Sequence, residues 1–138
     1  MDRLACGLQK LGIEKGDRIC AVGKNSLEFF LLYGAAAALG AIVVPINWLL
    51  SVDEALFNVN DCEPKIFFVD SEFEELTQER KDKLPSVEHF FNLKPADGEF
   101  AAFATLLDNP DEFDSVDVAT DDGLVIIHTA AVAGRPRG

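Results

Sequence analysis

The sequence predicts an α/β fold, a mainly parallel sheet flanked by helices. Three observations carry that expectation. Residues 18–22, 42–45 and 65–69 form short segments that are apolar nearly throughout instead of alternating with polar residues, the pattern of strands covered on both faces. Between them lie stretches with helical spacing of apolar residues, each opened or closed by a capping residue, so that helix and strand alternate. With 138 residues, 49% of them hydrophobic, the chain has the size and apolar content of one soluble globular domain.

The elements follow in order. Leu4, Ala5, Leu8 and Leu11 share one helical face, and Gly12 follows as a stop. A turn at 14–17 precedes the first strand, residues 18–22. Asn25 or Ser26 caps the next helix, with Glu28 placed as a capping-box acid; this helix runs through the alanines at 35–38 and stops near Gly40. Residues 42–45 make the second strand. Ser51 and Glu54 open a further helix by the same logic, and Ala55, Leu56 and Val59 supply its inner face. A turn at 61–64 leads into the third strand at 65–69. Asp70 and Ser71 are expected to cap a helix reaching about Lys83. Residues 87–93 read as a fourth strand, 100–107 as a helix, 109–122 as an acidic surface connection and 124–128 as the last strand.

Charge and cysteine usage narrow the function classes. Acidic residues number 24 against 12 basic ones, a formal net charge of −12, and the basic residues are scattered. Nucleic acid is therefore not an expected partner, because the phosphate backbone rewards clustered positive charge. Cys6, Cys20 and Cys62 show no Cys-x-x-Cys spacing, and with only His89 and His128 as histidines no metal site is read from the sequence. An odd number of thiols suits a reducing, cytoplasmic setting. Residues 29–50 carry no charge and are long enough to span a bilayer. Gly34, Gly40, Pro45 and Asn47 interrupt that run, and its composition changes from Leu- and Ala-rich to β-branched, so helix followed by buried strand is expected and no transmembrane segment.

The closing stretch is the one candidate ligand site. A β-branched run at 124–127 passes through His128 into Thr129, small residues and a Gly-x-Pro-Arg-Gly close. Such a loop lets consecutive backbone amides approach a phosphate, with Arg135 and Arg137 adding positive charge. The same composition also fits a plain turn. In parallel sheets ligands bind beyond the carboxyl ends of the strands, which favours a functional loop. Neither a Walker phosphate loop, a dinucleotide fingerprint nor a nucleophile elbow is present. His128, Tyr33 and Trp48 read as structural.

The order of landmarks resembles a known family. Residues 11–19 (LGIEKGDRI), 24–30 (KNSLEFF), Gly34, 40–47 (GAIVVPIN), 51–54 (SVDE) and 61–70 (DCEPKIFFVD) together resemble the N-terminal region of the AMP-dependent synthetases and ligases. This adenylate-forming superfamily includes acyl-CoA synthetases, luciferases and the adenylation domains of peptide synthetases, and the resemblance covers almost the whole chain. The family carries a phosphate loop close to Thr-Ser-Gly-Thr-Thr-Gly-x-Pro-Lys-Gly. Thr129, Gly134, Pro136 and Gly138 match it, and Arg137 keeps the charge of the lysine. Ala130, Ala131, Val132 and Ala133 depart from it, removing three hydroxyls and one glycine. More of the phosphate binding then falls to backbone amides and Arg137.

The resemblance implies a parent enzyme that converts a carboxylic acid, fatty acids being foremost, and ATP to an acyl adenylate and pyrophosphate, then passes the acyl group to CoA. It implies ATP and magnesium in the parent, with CoA as co-substrate. The phosphates would lie on Thr129, Ala130, Ala131, Val132, Ala133, Gly134, Arg137 and Gly138. The family's magnesium-binding acid, ribose-binding aspartate, acyl pocket and catalytic lysine lie beyond Gly138. Residues 1–138 are thus expected to be a partial N-terminal AMP-binding domain, cut at both ends, with no catalytic residue of its own, no tightly bound cofactor and no turnover. Apolar faces exposed by the cut would favour self-association. The alternative is a non-catalytic α/β interaction or scaffold module with a degenerate loop.

Overall fold

A computed structural model describes residues 1–76, 81–95 and 97–129. Five strands form one sheet: β1 (Arg18–Val22), β2 (Ile42–Ile46), β3 (Ile66–Val69), β4 (His89–Asn92) and β5 (Ala101–Ala102), in the order β2-β1-β3-β4-β5. Every pairing is parallel, and the register sets Cys20 between Val44 and Phe67, and Phe67 beside Phe90. Among the described residues three α-helices accompany the sheet, α1 (Asp2–Lys10), α2 (Leu27–Leu39) and α3 (Val52–Cys62).

Side chains alternate along each strand, so the apolar runs feed two cores. Ile19, Ala21, Val43, Ile66, Phe68 and Phe91 point to the face covered by α1 and α2, where Leu4, Leu8, Leu32, Ala35 and Ala36 meet them. Cys20, Val22, Val44, Phe67 and Val69 point to the other face, against Ala55, Val59 and Cys62 of α3. All four residues of β3 are buried, as befits the middle strand. Phe68 anchors the first core: it stacks on Phe91 at 5.4 Å and meets the edge of Phe103 at 5.7 Å.

Local signals fix the helix ends. Ser26 caps α2 by accepting from the Phe29 N–H, which makes Phe29, not Glu28, the third helical residue; Glu28 therefore stands one position short of a capping box. Gly40 ends α2 in the left-handed region at φ 65°, and Ala41 starts the turn into β2. The uncharged run at 29–50 is thus helix, turn and strand, and among the described residues no helix is long and apolar enough to cross a membrane. Ser51 and Glu54 form a reciprocal capping box at the start of α3. The Arg18 guanidinium closes the other end, Nε donating to the Cys62 carbonyl at 2.7 Å and an outer nitrogen to Glu63 at 3.1 Å.

Three expected elements differ. The helix from Asp70 to Lys83 is absent among the described residues, which form 3₁₀ turns at Ser71–Leu76 and Lys81–Lys83. The Asp70 carboxylate is taken by Lys94 at 3.1 Å, while its carbonyl accepts from Phe73 in a three-residue step that starts a tighter turn. The helix at 100–107 is instead β5 followed by a 3₁₀ turn, Phe103–Leu107. Phe100, Phe103 and Leu106 are buried at a spacing of three, the 3₁₀ repeat, and the open side of β4 recruits Ala101 and Ala102 into the ladder.

The last strand, 124–128, is reduced to one parallel bridge, Val43 to Val125. The Val43 N–H donates to Leu124 at 2.9 Å, and the Ile126 N–H donates to Val43 at 3.0 Å. Ile42 turns its N–H the other way, to Asp17 beside β1, so outward-facing groups on β2 recur at every second residue. The next outward position is Pro45, which has no N–H to give. The ladder stops there, and the chain leaves β2. The acidic connection before it is more than solvated surface: Phe113 and Val116 pack on the first core, and Asp114 exchanges two hydrogen bonds with the Gln9 side chain.

Candidate functional site

The carboxyl ends of the strands gather polar groups that the sheet itself does not need. Asp70, just past β3, is buried and paired with Lys94, which follows β4; that hydrogen bond raises the lysine's pKa. Lys24, in the loop after β1, reaches Glu72 at 2.7 Å and lies over the Trp48 ring at 5.6 Å. Trp48 is 41% exposed, so its role is that of a surface ring against Lys24 and Phe73, not a core residue. Gly23 permits this crowding: a β-carbon there would stand 3.0 Å from Asp70 Cβ and 3.1 Å from Leu93 Cδ1. Asn92, the last residue of β4, is 1% exposed, and among the described residues neither its amide nitrogen nor its oxygen has a hydrogen-bond partner. Buried amides are ordinarily satisfied, which marks this corner as polar ground.

Of the expected phosphate loop only the first residue falls among the described residues. Thr129 is described and exposed; Ala130, Ala131, Val132, Ala133, Gly134, Arg137 and Gly138 lie outside the described residues. Residues 124–126 lie against the outer edge of β2. His128 then stands over the C-terminal end of α3, with Nε2 3.3 Å from Asp61 Oδ2 and 3.8 Å from Cys62 Sγ. Because α3 leads from the carboxyl end of β2 toward the amino end of β3, this contact is remote along the helix from its capped start. Burial, with the Asp61 charge beside it, raises the Cys62 thiol, and the Arg18 cation opposes them. No sequence spacing could pair residues 66 positions apart; they meet past the Val43–Val125 bridge, which lays the segment along β2.

The cluster of three potential metal ligands among the described residues does not suit magnesium. The one group of three potential ligands, Asp61, Cys62 and His128, offers thiol and imidazole, whereas magnesium selects oxygens.

The family model described as "AMP-binding enzyme" matches residues 1–138. The long-chain-fatty-acid–CoA ligase FadD13 of Mycobacterium tuberculosis is 31% identical over 140 aligned positions, covering 99% of this chain and 27% of that protein. The indoleacetate–CoA ligase of Aromatoleum aromaticum is 29% identical, covering 100% of this chain and 27% of its own length. Among solved structures, the inhibitor-bound N-terminal domain of FACL13 from Mycobacterium tuberculosis superposes with a TM-score of 0.87 at 31% identity, over 99% of this chain and 34% of that domain. The chain therefore spans about a quarter of the length of the curated relatives it matches. The parallel sheet with its helices is the architecture found in the N-terminal domain of these acyl-CoA ligases. Sequence landmarks, strand order and family model agree that the chain belongs to the AMP-binding enzyme family.

Proposed function

We propose that residues 1–138 are part of the N-terminal nucleotide-binding domain of an ATP-dependent acid–thiol ligase of acyl-CoA synthetase type. The whole enzyme would join a carboxylic acid to ATP, the carboxylate oxygen displacing pyrophosphate at the α-phosphorus, and CoA would then displace AMP through its thiol. A fatty acid is the substrate class this reading favours. The observation that carries it is the 31% identity to a fatty-acid–CoA ligase across nearly the entire chain. Thr129, the amides of Ala130, Ala131, Val132, Ala133 and Gly134, and Arg137 with Gly138 would hold the phosphates, and Arg137 would offset charge on the leaving pyrophosphate. Magnesium, where bound in the whole enzyme, would neutralise phosphate charge. The three buried, free thiols agree with a reducing, cytoplasmic setting.

The 138 residues alone are expected to give no carboxylate-dependent exchange of pyrophosphate into ATP; measurable exchange would refute this. In calorimetric titration with ATP and magnesium, tight binding abolished by Arg137→Ala would support a retained phosphate site. No heat at millimolar nucleotide would favour the non-catalytic module or an incomplete phosphate site.

A further inference from the structure

We propose that Asp61, Cys62 and His128 form a binding site for one divalent transition-metal ion, zinc foremost. Two of the ligands come from the last turn of α3 and the third from the segment that leaves β2. Their ligating atoms all lie within 4.8 Å of one another. Around a tetrahedral zinc ion, with metal–nitrogen and metal–oxygen distances of about 2.0–2.2 Å and metal–sulfur of about 2.3 Å, neighbouring ligand atoms stand roughly 3.3–3.6 Å apart. The His128 Nε2 to Asp61 Oδ2 distance of 3.3 Å meets that spacing, and the 3.8 Å to Cys62 Sγ exceeds it by a few tenths.

The arrangement argues against the obvious rival, a Cys-His-Asp nucleophile. In such a relay the thiol and the carboxylate sit on opposite ring nitrogens. Here both face Nε2, and Nδ1 is buried with no hydrogen-bond partner among the described residues. Three groups around one point describe ligands, not a proton path. Thiolate and imidazole select zinc over magnesium or calcium. The His128 side chain is 4% exposed and that of Asp61 is 47%, so the site is walled on the imidazole side and open at the carboxylate, where water can complete four ligands. The Cys62 backbone is held by Arg18, which fixes the turn bearing two of the ligands. An entering ion must displace the proton of the Cys62 thiol. His128 immediately precedes Thr129 in sequence. An ion here would clamp the lead of the phosphate loop to α3.

The test uses the 138-residue chain, stripped with chelator and kept reduced. Titration with Zn²⁺ against a chromophoric competitor is expected to show one equivalent bound. Co²⁺ should give a thiolate-to-cobalt charge-transfer band in the near ultraviolet. Second-shell changes already cost about 10–100-fold in metal affinity, so Cys62→Ser and His128→Ala should each weaken binding by about 100-fold or more. Cys6→Ser, a buried residue of α1, which covers the opposite face of the sheet from α3, should leave both readouts unchanged. Asp61→Asn, at a half-exposed position, tests the site without disturbing the core and should weaken zinc measurably even if another variant fails to fold. Absence of bound zinc, absence of the cobalt band, or zinc affinity indifferent to Cys62→Ser or Asp61→Asn would overturn the proposal.

Discussion

Gly7→Ala tests how closely α1 is seated on the 3₁₀ turn at Phe103–Leu107. In an open helix interior this substitution stabilises by about 1 kcal/mol, because alanine has less backbone freedom to lose. At Gly7 the space is taken. A β-carbon would stand 2.7 Å from the Leu106 carbonyl oxygen, 3.0 Å from Asn109 Nδ2 and 3.2 Å from Leu106 Cα. Two of those atoms are backbone, and the Leu106 carbonyl also accepts from Asn109 at 2.9 Å, so the neighbour cannot swing aside as a long side chain would. Overpacking costs roughly 1–3 kcal/mol. Set against the propensity gain, the net loss is between zero and about 2 kcal/mol. Gly34→Ala in α2 is the matched control, since the three nearest atoms to its β-carbon all belong to the exposed, flexible side chain of Met1. It should gain up to about 1 kcal/mol. Urea unfolding followed by far-ultraviolet circular dichroism reads both as midpoint shifts at constant slope. A Gly7→Ala chain that gains stability as the Gly34→Ala control does would refute the close seating.

Phe68→Ala should cost about 3–5 kcal/mol in the same assay, because it removes a fully buried ring with two aromatic partners. Ser51→Ala should cost about 1 kcal/mol through loss of the α3 cap. Hydrogen bonds from the Ser51 side chain and backbone hold the Glu54 carboxyl below its ordinary 4.5. A carboxyl lowered in the folded state adds stability above that pH and loses it as pH falls through the lowered value, so the effect of Glu54→Gln should shrink below pH 4.5 in unfolding midpoints. Glu63→Gly should stabilise by about 0.5–1 kcal/mol, since Glu63 ends α3 at φ 48°, a strained angle for any residue with a β-carbon.

Strands were legible because burial on both faces demands uninterrupted apolar residues, and β1 emerges at the residues that pattern names, Arg18–Val22. Helices with a serine cap and a periodic face were equally plain, as α3 shows. Misreadings arise where a tertiary partner outbids a local signal. Asp70 has the chemistry of an N-cap, yet Lys94, 24 residues on, takes its carboxylate. Phe100, Phe103 and Leu106 serve a helical or a 3₁₀ repeat equally well until β4 offers an open side. The small-residue loop could be named from its resemblance to a family motif, and its lead-in is seen to run beside β2. The grouping of Asp61, Cys62 and His128 had no local signature, because two ligands adjacent in sequence and a third 66 residues away follow no metal-binding spacing.

Pro45 also bears on how copies of this chain meet. A sheet border with regularly spaced free donors is a template on which a strand of another molecule can lengthen the ladder and start aggregation. On β2 the outward groups of Val43 are already engaged by Leu124 and Ile126, and the next outward donor is missing. A foreign strand arriving there meets one occupied position followed by one that cannot bond, so edge-to-edge growth lacks the consecutive pair it needs to nucleate. One imino acid thus guards the border of the sheet, at the residue where the segment 124–126 stops following it.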